Sequence, residues 1–71
     1  MTMRLGTVVA FDAEVGLGRI EGTQGEVFDF HCTAIADGTR RIDIGRAVGF
    51  TVGPGGPGRW EARSVVSLPA D

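Results

Sequence analysis

The side chains able to do chemistry are few, and none stands in a catalytic grouping. His31 and Cys32 are the single histidine and the single cysteine, and they are chain neighbours. Two donors are too few for a closed metal site, so no metal ligation is expected. As base and nucleophile they fall at the end of a strand-like run, where successive side chains point to opposite faces, so the two should not meet. Burial as a small apolar residue is the expectation for Cys32. No paired carboxylates and no triad emerge either, which points to a binding module and not an enzyme, with no cofactor and no small-molecule substrate. What remains suits a flat, charged ligand. Arg19 offers a guanidinium plane able to lie on a nucleobase and pair with phosphate. Phe11 and Trp60 are aromatic surfaces of the kind on which bases stack.

Each of these residues has a plainer alternative that the sequence leaves open. Arg19 can instead bridge to Asp29, whose own charge would repel a phosphate backbone. His31 can stack on a base or simply pack on Leu17 as a surface histidine. Arg40 and Arg41, with Arg46 nearby, can form a phosphate-contacting rim, or a solvated loop neutralised by the flanking Asp37 and Asp43. Trp60, between Arg59 and Arg63, reads as a stacking site, a protein-interface anchor, or a plug closing one end of the fold. The run Gly53-Pro54-Gly55-Gly56-Pro57-Gly58 lacks the Lys-Ser/Thr ending of a phosphate loop, and is expected to be a mobile loop holding neither helix nor ladder.

The elements that position these residues follow from apolar periodicity. Period-2 segments separated by glycine-rich breaks place strands near residues 4–11, 17–21, 27–31, 47–53 and 59–68, and the only helical character falls at 32–37. Five short strands suit a closed all-β barrel formed by a single domain over residues 1–71. Gly22-Thr23-Gln24-Gly25 supplies glycines for a tight hairpin. Centring it on Gln24 opposes Ile20 to Phe28, Arg19 to Asp29, Gly18 to Phe30 and Leu17 to His31. Ile20, Phe28 and Phe30 then face the core, while Leu17, Arg19, Asp29 and His31 face out. A slip of one residue would bury both charges, at several kcal/mol each by the usual order of magnitude. The register therefore predicts a cross-strand ion pair between Arg19 and Asp29.

Size and composition narrow the field further. A chain of 71 residues buries only about 60% of its unfolded surface, so the core must be small. The lone cysteine forbids an internal disulfide, and no apolar run approaches the roughly 18 residues of a membrane helix. Nor does Met1 to Arg4 lead into the apolar stretch of a signal peptide. A cytoplasmic protein with no membrane partner is expected. Every basic residue is arginine, and the net charge of −2 gives no global attraction to phosphate, so any nucleic-acid binding must rest on a local patch.

The order of motifs resembles the bacterial cold-shock domain family over residues 4–66. Gly6-Thr7-Val8 and Phe11-Asp12 resemble its opening Gly-x-Val-Lys-Trp-Phe-Asn. Val15-Gly16-Leu17-Gly18-Arg19-Ile20 resembles its first ribonucleoprotein motif, Lys-Gly-Phe-Gly-Phe-Ile. Phe28-Asp29-Phe30-His31-Cys32 followed by Thr33-Ala34-Ile35 resembles the second, Val-Phe-Val-His-Phe followed by Ser-Ala-Ile. Gly45, Val48, Phe50 and Val52 sit like Glu-Gly-x-x-Val-x-Phe-x-Val, and Glu61-Ala62-Arg63-Ser64-Val65 like Gln-Ala-x-Asn-Val.

The resemblance implies a five-stranded antiparallel OB-fold barrel with one short helical turn, binding single-stranded RNA or DNA by stacking bases on the motif strands. The family's aromatic platform is largely replaced: Ala10 stands where the family has Trp, and Leu17, Arg19, Asp29 and Cys32 where it has Phe. Losing two platforms at the low end of about 1–3 kcal/mol each weakens binding roughly 30-fold. The expectation is a single-strand nucleic-acid-binding module of weak or altered affinity, acting on RNA structure or gene expression. Its candidate contacts are Phe11, Leu17, Arg19, His31, Arg40, Arg41 and Trp60. The alternative is a protein-interaction domain that reuses the barrel with nucleic-acid binding lost.

Overall fold

Alternation along two short strands fixes the heart of the molecule. Ile20 and Phe30 are completely buried and Phe28 half-buried, while Leu17, Arg19, Asp29 and His31 between them are exposed. The computed structural model describes residues 3–69 and gives β1 (Arg4–Asp12), β2 (Leu17–Gly22), β3 (Val27–His31), a 3-10 turn (Cys32–Ala34), β4 (Ala47–Gly56) and β5 (Arg59–Ser67). β2 and β3 pair as the hairpin register predicts, with Leu17 opposite His31, Gly18 opposite Phe30, Arg19 opposite Asp29 and Ile20 opposite Phe28. Of the two glycines in the connecting turn, only Gly25 takes a positive φ, 84°. The Glu26 carboxylate completes this turn by accepting the Gln24 N–H at 2.9 Å.

The strands close into a barrel in the order β1-β2-β3-β5-β4. The sheet is mixed, a difference from the antiparallel barrel expected: β3 and β5 run parallel, with Asp29 opposite Glu61, and Ile35 makes a further parallel bridge to Val65. Val8, Ile20, Phe30, Ile35, Val48, Phe50, Ala62 and Val65 fill the interior, and among the described residues no polar side chain is fully buried there.

Two bulges set which residues face in. Between Val8 and Ala10, β1 carries one residue more than β2, so Phe11 turns toward the core three positions after the buried Val8. In β5 the register steps from Gly49–Val66 to Thr51–Arg63, again one extra residue, and Ser64 adopts a left-handed φ of 51°. That bulge is why Ala62 and Val65, of opposite parity, are both buried.

The Gly-Pro run is not a loop. β4 continues through it to Gly56, pairing Pro54 with Trp60 and Gly56 with Arg59, and the reversal is confined to Pro57 and Gly58, the latter at φ 70°. Among the described residues β4 pairs beyond Phe50 with β5 alone, so Pro54 lies on an edge where its missing N–H is tolerated. Proline followed by a positive-φ glycine is the pattern of a type II turn, which gives this hairpin its reversal.

Candidate nucleic-acid interface

The β1–β2 connection delivers the first motif strand. Asp12 Oδ1 accepts the Glu14 and Val15 N–H groups at 3.0 and 3.4 Å, and Gly16 turns at φ 73°. Leu17, Gly18 and Arg19 follow directly. Gly18 is required by close approach: a Cβ there would stand 2.4 Å from the Phe30 ring and 3.0 Å from Phe11. With that space open, Phe11 stacks nearly parallel on Phe30, centroids 6.1 Å apart and planes 13° apart. Phe11 is thereby half-buried and presents only part of its ring.

On the outer face Arg19 Nε donates to Asp29 Oδ1 at 3.1 Å, the expected cross-strand pair, with both side chains 56% exposed. Such a pair in solvent contributes about 0.2–1 kcal/mol, so it holds orientation more than it stabilises. Across from it the extended β4–β5 hairpin carries Trp60, which is 64% exposed and so does not plug the barrel end. Between these walls lies a groove of about 700 Å³, lined by Phe11, Leu17 and Arg19 from the first two strands, Asp29 from β3, Ile44 from the long connection, and Arg59 and Trp60 from β5. Among the described residues Arg59 makes no ion pair, whereas Arg63 is held by Glu61 at 3.2 Å and donates to the Pro54 carbonyl. Trp60 therefore has one free arginine beside it, not two.

The structure gathers Phe11, Leu17, Arg19 and Trp60 in this groove but not the other three candidates. His31 lines a separate small hollow with Thr33, Arg63 and Ser64. Its Nδ1 caps the 3-10 turn, 3.3 Å from the Thr33 N–H and 3.0 Å from its hydroxyl. The same Nδ1 approaches Cys32 Sγ at 3.8 Å, contrary to the expectation that the two point apart. The strand ends at His31, so alternation stops there; Cys32 is half-buried against the Gly16 turn rather than fully buried. Arg40 and Arg41 are exposed and outside the groove, Arg41 sharing a hollow with Asp43 and Arg46. Beside them Asp37 accepts the Thr39 N–H and hydroxyl at 3.0 and 2.8 Å, which holds its carboxyl below the usual value. Among the described residues no cluster of three potential metal ligands occurs, and no helix is long and apolar enough to cross a membrane.

The closed five-stranded barrel, with a groove beside β2 and β3, is of the OB kind. No protein-family model and no curated protein sequence matched the chain. Among solved structures it is similar to Drosophila Unr CSD456, with a TM-score of 0.80 and 29% identity over 96% of this chain. The chain spans about a quarter (27%) of that protein's chain. The chain has the fold of a cold-shock domain, and its broadly exposed aromatic ring is Trp60, on β5.

Proposed function

We propose that this domain binds single-stranded nucleic acid in the groove between the motif strands and the β4–β5 hairpin, with lower affinity than an intact aromatic platform provides. The observation that carries the reading is Trp60, 64% exposed and facing the same groove as Arg19 and Leu17. A base seated there stacks on the indole, and its phosphate lies within the field of Arg59. The apolar wall of Val9, Leu17 and Ile44 also favours the second reading, a protein partner inserting an apolar side chain.

Fluorescence anisotropy of labelled single-stranded DNA and RNA decamers, with the wild-type chain and Trp60→Ala, tests the first reading. Removing one stacking platform is expected to weaken binding by about 1–3 kcal/mol, roughly 5- to 150-fold. Trp60 is exposed, so the variant is expected to melt like the wild type. Binding unchanged by the substitution removes the groove from the interaction, and no binding at low salt turns the search to the protein partner.

A further inference from the structure

We infer that the Arg19–Asp29 pair reads the Watson–Crick edge of an unpaired guanine stacked on Trp60, an inference that rests on the groove's binding single strands. Only Arg19 Nε and Asp29 Oδ1 are engaged with each other, at 3.1 Å. Among the described residues neither side chain makes another hydrogen bond, so Asp29 Oδ2 and both Nη groups of Arg19 remain open, and both residues line the groove with Trp60. The pair thus offers acceptors beside donors, held at one register position of a hairpin.

Guanine carries the complementary sequence along its edge: the N2 and N1 hydrogens donate and O6 accepts. A carboxylate takes the two donors together, and a guanidinium N–H reaches the oxygen. Thymine and uracil set an acceptor, a donor and an acceptor against the same pair, which places a carbonyl oxygen on the carboxylate. Adenine supplies one donor beside one acceptor and cytosine one donor beside two acceptors, so each matches only part of it. The negative charge of Asp29, which opposes a phosphate backbone, has a use once it faces a base edge instead, with the backbone on the Arg59 side of the groove.

The test compares dissociation constants for hexathymidylate with those for the same oligonucleotide carrying one central guanine, inosine or adenine. The guanine probe is expected to bind about tenfold more tightly than hexathymidylate. Inosine, lacking the N2 amino group, should lose most of that advantage. In Asp29→Asn the guanine advantage should fall below about twofold while hexathymidylate still binds. Arg19→Met, which removes the donor to O6 and leaves the carboxylate, should reduce it independently, so the inference survives misfolding of either variant. Equal binding of all probes, or a preference that persists in the folded Asp29→Asn variant, overturns this inference and leaves the groove reading standing. No binding by any probe overturns both.

Discussion

Gly18 is the residue on which the arrangement of rings depends. Its missing side chain leaves the space where Phe30 lies against β2 and Phe11 lies on Phe30. A methyl group 2.4 Å from a ring carbon forces one of the two aromatic rings to move. Gly18→Ala is expected to destabilise the barrel by about 1–3 kcal/mol, read as a lower denaturant midpoint with unchanged slope. The pair beside it, Arg19 and Asp29, was legible in the sequence because burying either charge is costly enough to fix the register. Nothing comparable pins Phe11. Its half-burial follows from the bulge at Val9, and one extra residue in a strand leaves no mark in an apolar pattern.

At the scale of elements, the hairpin of β4 and β5 is where sequence reasoning and structure part. A run of glycine and proline has no apolar period and predicts a loop; in the fold it is paired strand because β5 alone pairs with it among the described residues and a single Pro-Gly step suffices to reverse the chain. That extension matters to the site, since its pairing of Pro54 with Trp60 holds the exposed indole on the groove wall, a placement that no pattern local to Trp60 reveals. The bulge in β5 supplies a measurement of its own. Ser64 is exposed with φ 51°, a conformation glycine adopts without the penalty of a Cβ. Ser64→Gly is expected to stabilise the protein by about 0.5–1 kcal/mol, less whatever flexibility glycine adds to the unfolded chain, seen as a raised melting temperature.

For the molecule as a whole, charge is distributed against a long electrostatic footprint. The net charge is −2, and Arg4, Arg19 and Arg63 are committed to Glu26, Asp29 and Glu61. With Arg59 the groove's cation lacking an ion pair among the described residues, about one or two phosphates are neutralised on binding. The slope of log affinity against log salt for single strands is therefore expected near −0.7 to −1.4. A slope beyond about −3 would bring in the outlying Arg40, Arg41 and Arg46 as a second contact. The same closure that builds the groove has one thin joint. β3 and β5 meet at a single parallel register pair, Asp29 and Glu61, and both residues line the groove. A ligand lying across them reaches both lips of the seam at once and acts as a clasp. Opening of the cylinder at that joint and release of the ligand are then one event, so a filled groove slows exchange of the amides that flank the seam.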